Sequence, residues 1–188
     1  MKKPLTIFIF LLLFNLIACE EAYTPKPRAY FRIDIQPSKY VKFQQAQHFS
    51  FEYPEACIVE VDQSAKDWFT LRYPDLQAAL YLSYKSVDNN LPVYLEDART
   101  MAFKHLPKAS SITDSVFLYP DRTSGGMFYF IRGKGVASPV QFYVTDSTRH
   151  FVRVALYFDF RPNNDSIEPV INHIMSDMKH LAASLSWK

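Results

Sequence analysis

The strongest constraint on the fold is a series of short runs that alternate apolar and polar residues, interrupted twice by apolar stripes at helical spacing. Phe49-Ser50-Phe51-Glu52-Tyr53 alternates strictly, which puts three aromatic rings on one face of a strand, and Pro54 stops the run. Further strands are predicted at 57–61, 68–73 and 79–85. In the last of these Leu80, Leu82 and Tyr84 share one face, and Tyr81, Ser83 and Lys85 share the other. Asp88-Asn89-Asn90 is a cap signal, and Pro92 suits a first helical turn. Leu91, Tyr94 or Leu95, Ala98, Met101 or Ala102, and His105 then recur at helical spacing, predicting an amphipathic helix that ends before Pro107. Strands resume at 112–119, 126–132, 140–146 and 150–160, with 123–126 and 146–149 read as hairpin connections. Along 150–160, Val152, Val154, Leu156, Phe158 and Phe160 share a face, opposite Arg153, Tyr157 and Asp159. Asn163-Asn164-Asp165-Ser166 caps a second helix, whose stripe is Ile167, Val170, Ile171, Ile174, Met178, Leu181 and Leu185.

Strands, helix, strands, helix is the order of an α+β domain: an antiparallel sheet of about six to eight strands carrying two amphipathic helices. The layout resembles that of PsbP/Mog1-like domains at the level of fold alone, and no function follows from it. The domain is expected over residues 29–188, with 29–35 as either a first short strand or an extended lead-in.

The amino terminus is of another kind. Lys2 and Lys3 precede an apolar run from Leu5 to Ile17, broken only by Thr6 and Asn15. A charged head, a short apolar core and a small residue before the cut describe a secretory signal peptide, residues 1–18. The run is short for a membrane span, which needs about 20 residues. Leu16-Ile17-Ala18-Cys19 looks like a bacterial lipobox, so Cys19 is expected to receive a diacylglycerol and to become an acylated amino terminus. Residues 19–28 then form a tether. Pro25 and Pro27 favour an extended path that would hold the domain roughly 28 Å from the lipid. Glu20 and Glu21, directly after the anchor, resemble surface-export signals of gliding bacteria.

Loss of the signal removes Lys2 and Lys3, and with them the net excess of two positive charges. The mature chain is formally neutral, which gives no reason to expect nucleic acid as a partner. Phe and Tyr, with 16 and 12 copies, far outnumber the 2 Trp and 4 Gly, a balance that suits sheets packed under rings. Once Cys19 is acylated, Cys57 is alone and has no intrachain disulfide partner. Beside an apolar strand it is expected to be buried.

Asp146, Ser147 and His150 contain the residue types of a catalytic triad, but they crowd one hairpin turn, and Asp and Ser are what such a turn prefers. His173, Asp177 and His180 fall on one helical face at spacings that could present metal ligands. With no other ligand cluster to complete a shell, a solvated polar flank is the expected role, and no metal. Gly133-Lys134-Gly135 is too short for a phosphate loop and reads as a turn. His105 reads as a boundary residue of its helix. No enzyme motif survives, and no cofactor is expected.

With the lipobox in place, further segments carry a resemblance. They are Tyr23-Thr-Pro-Lys-Pro-Arg28, Tyr30-Phe31-Arg32-Ile33-Asp34, Phe51-Glu-Tyr-Pro54 and Tyr81-Leu-Ser-Tyr-Lys85. Ala137-Ser-Pro-Val-Gln-Phe-Tyr-Val-Thr-Asp-Ser147, His150-Phe151, Ala155-Leu-Tyr-Phe158, Pro162-Asn163 and Ser184-Leu-Ser-Trp-Lys188 complete the set. In number and order these resemble the gliding motility lipoprotein GldD family over nearly the whole mature chain. The resemblance implies an envelope lipoprotein needed for gliding and for the associated type IX protein secretion. It also implies a lipid anchor in a membrane, the outer one expected over the inner, and other gliding and secretion envelope proteins as partners. It offers no catalytic residues. The expected role is a non-catalytic binding or assembly subunit; the alternative is a small-ligand or peptidoglycan-binding module that uses an aromatic sheet face. Tyr30, Phe31 and Arg32 are candidate partner-binding residues, because Tyr and Arg are frequent binding anchors. The competing role for Tyr30 and Phe31 is to dock on their own domain as a first strand.

Overall fold

The computed structural model describes residues 35–62, 65, 67–119 and 123–188. The signal peptide, Cys19, the tether, and Tyr30, Phe31 and Arg32 lie outside the described residues. Among those described, strands run at Tyr40–Phe43 (β1), Phe49–Pro54 (β2), Ile58–Val61 (β3), Trp68–Tyr73 (β4) and Ala78–Ser86 (β5). Helix α1 spans Leu91–Phe103. Strands follow at Ser111–Tyr119 (β6), Ser124–Arg132 (β7), Val140–Thr145 (β8) and His150–Phe158 (β9). Helix α2 spans Glu168–Ser184, and Ser186–Trp187 forms β10.

The fold is α+β. Seven strands make one antiparallel sheet in the order β3-β4-β5-β9-β8-β7-β6. Strand β2 joins a separate three-stranded sheet, β1-β2-β10. The alternation in β2 reports a strand with one apolar face, and it is silent about which sheet that face serves. Two partners escaped the sequence: β1, with Tyr40 and Val41 side by side, does not alternate, and β10, with 2 residues, is too short to show a period. The register Phe43↔Phe51 puts ring beside ring across β1 and β2.

Period 2 explains the two faces of the large sheet. Leu71, Leu80, Phe142, Val154 and Leu156 point to one side, where Phe49 and Phe51 of β2 and Ile174, Met178 and Leu181 of α2 close over them. All ten are at most 1% exposed. Truncating a buried ring such as Phe49 or Phe51 to Ala costs about 3–5 kcal/mol. On the opposite side, Ala98 and Ala102 bring α1 against Tyr129, Ile131, Tyr143 and Phe151. Small residues on that stripe let the helix lie close to aromatic strands. All the described residues belong to one compact unit.

Two details depart from the sequence reading. Ser124 and Gly125 are already in β7, which therefore starts two residues before the predicted Gly126. Gly126 is needed there, since a Cβ at this position would sit 1.9 Å from the Tyr143 carbonyl oxygen. Strand β9 stops at Phe158, which leaves Phe160 beyond it and 38% exposed.

Candidate functional site

Apart from the β8–β9 turn, three places on the domain concentrate chemistry. The first corrects the expectation of a solvated flank on α2. Asp177 is buried, its side chain 2% exposed. Tyr40 donates a 2.8 Å hydrogen bond to its Oδ1, and Tyr73 a 3.2 Å bond to its Oδ2. His173 Nε2 lies 3.6 Å from Oδ2 and 3.4 Å from Ser38 Oγ. One turn on, His180 stacks on the Tyr40 ring at 3.7 Å and shares a 2.7 Å contact with Glu52. Helical spacing correctly put these side chains on one face. They face β1 and β4, because each is used to hold the entering segment 38–40 to the helix. Burial, then the Asp177 hydrogen bond, pushes the Tyr40 hydroxyl up to about 12. Burial also raises Tyr73, and it pushes the neighbouring Cys57 thiol up to about 12. Cys57 is buried, as its context implied. A neutral thiol in an apolar site is chemically inert. No group of three or more metal-ligating side chains placed to hold an ion occurs among the described residues.

The β8–β9 turn holds Asp146, Ser147 and His150, and it uses them structurally. Asp146 Oδ1 accepts backbone N–H bonds from Thr148, Arg149 and His150. Burial opposes ionisation of Asp146, but these bonds outweigh it and hold the carboxyl below its usual range. The His150 ring shares a 2.9 Å hydrogen bond with Tyr84 and stacks on Trp187 at 5.1 Å. Burial lowers the His150 pKa, as it does that of His105. A histidine held neutral in the fold binds its proton more readily when unfolded. Its contribution to stability is therefore intact above the ordinary value of 6.5 and is lost as pH falls below it. Denaturant midpoints are expected to drop between pH 7.5 and 5, and His150→Phe is expected to flatten the drop. An unchanged pH slope in His150→Phe would show that another group is responsible.

The second place is a groove of about 360 Å³ between α1 and the open half of the large sheet. Register builds its floor in rows: Trp68 pairs with Ser83, which pairs with Arg153, and Thr70 pairs with Tyr81, which pairs with Ala155. Asp97 and Met101 of α1 form the side wall. Trp68 and Tyr81 are 42% and 45% exposed. Along the chain Tyr81 and Ser83 share the face of one strand, and Arg153 and Tyr157 share the face of another. The β5–β9 register makes those one surface.

The third place is the outer edge of the sheet at β6. Val116 and Leu118 are 63% and 71% exposed on one face of this strand. Among the described residues no helix is long and apolar enough to cross a membrane.

Buried layers on both sides of an antiparallel sheet, with an open aromatic groove and a bare strand edge, define the chain as an α+β domain. The model of the family described as gliding motility lipoprotein GldD matches residues 20–187, and the chain belongs to that family. It is thus a gliding motility lipoprotein, a membrane-anchored protein of the cell envelope. No curated protein matches the chain. Among solved structures, the solution structure of cyanobacterial PsbP (CyanoP) from Synechocystis sp. PCC 6803 is similar. Its TM-score is 0.48 at 9% identity, over 88% of this chain and 100% of that one.

Proposed function

We propose that the protein is a non-catalytic assembly subunit of the gliding apparatus and of the type IX secretion that accompanies it. Acyl chains on Cys19 hold it to the outer membrane, and its domain binds other envelope proteins. The observation that carries this reading is β6. Its nine residues pair with β7 on one side, and among the described residues no strand lies on the other. Soluble proteins blunt such edges with Lys, Pro or bulges. Strand β6 has none of these: it pairs residue for residue with β7, and its only charge is Asp114. A long, regular edge that presents Val116 and Leu118 fits the addition of an extended strand from a partner.

Replacing Val116 and Leu118 together with Lys tests this. Both side chains are already in water, so the melting temperature is expected to stay within about 2 °C. Proteins cross-linked to the intact lipoprotein in envelopes are expected to disappear from pull-downs, and gliding and secretion to fail. Retention of the same cross-linked proteins and of gliding would overturn the reading.

A further inference from the structure

The groove between α1 and the β4–β5–β9 face holds an arginine that, among the described residues, forms no ion pair. Two arginines sit on this face. Arg72, near the β3 edge, is held by two carboxylates, Glu60 at 2.9 Å and Asp159 at 3.2 Å. Arg153, deeper under α1, is not. Its partners are the amide oxygen of Gln141 and the hydroxyl of Tyr157, both uncharged. Among the described residues no carboxylate comes within ion-pair distance of it. A guanidinium keeps its charge in proteins, and a partly buried charge without a counter-ion is costly. Such a group favours an anion, above all a planar carboxylate that can take two parallel hydrogen bonds.

The rest of the groove specifies what carries that carboxylate. Its volume suits a small ligand. Ser83 is a small residue set between Trp68 and Arg153, and it leaves a hollow beside the rings. The rings of Trp68 and Tyr81 are exposed and offer apolar surface to the C–H face of a sugar. Thr70, Ser83 and Asp97 supply donors and acceptors for hydroxyl groups. Asp97 on the wall repels a polyanion, and Lys85, the other cation of the lining, is engaged over the Tyr94 ring at 4.8 Å, so a single carboxylate fits better than a phosphate. A peptide fits less well. Strands β4, β5 and β9 each have neighbours on both sides, so their main-chain groups are engaged within the sheet and give a peptide backbone little to pair with.

We propose that this groove binds an acidic sugar, with the Arg153 guanidinium on the carboxylate and Trp68 and Tyr81 against the ring. This site is separate from the β6 edge, so it can fail without touching the assembly reading, and the reverse.

The test uses the full-length lipoprotein in detergent micelles, followed by NMR of its indole N–H groups. Methyl β-D-glucuronide and methyl β-D-glucoside are matched probes that differ only in the carboxylate. The glucuronide is expected to shift the Trp68 indole signal while sparing Trp187, whose Nε1 donates to Ser124 at 2.9 Å. It is expected to bind about tenfold more tightly than the glucoside. Arg153→Gln is expected to remove that preference. Tyr81→Ala, at an exposed ring, leaves the fold intact and is expected to weaken the glucuronide several-fold. Equal binding of the two sugars by the wild-type protein would overturn the proposal. So would shifts that bypass Trp68, or binding of N-acetyl-alanyl-alanine as tight as that of the glucuronide.

Discussion

Cys19→Ala is expected to abolish incorporation of a clickable palmitate analogue and to leave the signal peptide uncut. On the proposed lipid-anchor reading the thiol of Cys19 accepts the diacylglycerol and the chain is cut just before it. The change therefore removes all the acyl chains together. Each buried methylene contributes about 0.8 kcal/mol to membrane binding, and two chains are needed for stable anchoring. A chain with none is held only through an uncut signal, or is lost to the periplasm. The experiment is clean because the second cysteine cannot take over. Cys57 is 8% exposed beside Tyr73, and burial pushes its thiol up to about 12. Labelling of Cys19→Ala at the wild-type level would end the lipid-anchor reading.

The sequence made legible those features that depend on neighbours along the chain. The period-2 runs at 68–73 and 78–86 and the stripes of both helices are local, and the structure places them within a residue or two. The capping turn at Asp146 was legible for the same reason, since its carboxylate bonds lie within four residues. What was not legible depends on register and on long closures. Strand β2 looks like a member of the main sheet until β1 and β10 claim its two edges. The groove needs Ser83 opposite Arg153, a pairing 70 positions apart in the chain that no spacing rule reveals. The bare edge at β6 is a property of sheet order, and Val116 and Leu118 read as ordinary strand residues until that order is known.

The Asp177 cluster is the sharpest case. Its spacing with His173 and His180 suggests either ligands or a wet flank, and the choice turns on two tyrosines, 137 and 104 residues away. Asp177→Ala is expected to be the most damaging single change on the polar side of α2. It leaves the Tyr73 hydroxyl buried without its acceptor, frees Tyr40, and opens a small void between α2, β1 and β4. An unsatisfied buried hydroxyl costs about 1–3 kcal/mol, and with the void the loss is about 3 kcal/mol. For a domain of this size that corresponds to a melting temperature lower by roughly 6–12 °C. Tyr73→Phe removes one hydrogen bond and keeps the ring, so about 1 kcal/mol is expected. His180→Gln, at a partly exposed stack, is expected to cost less than Asp177→Ala. The order of the three matters more than any one value. A solvated flank would make all three changes equally mild, and calorimetry showing that result would remove Asp177 from the core. A large loss in Asp177→Ala, with partial rescue in Asp177→Asn, is the signature of a carboxylate that fastens the entry of the tethered chain onto α2.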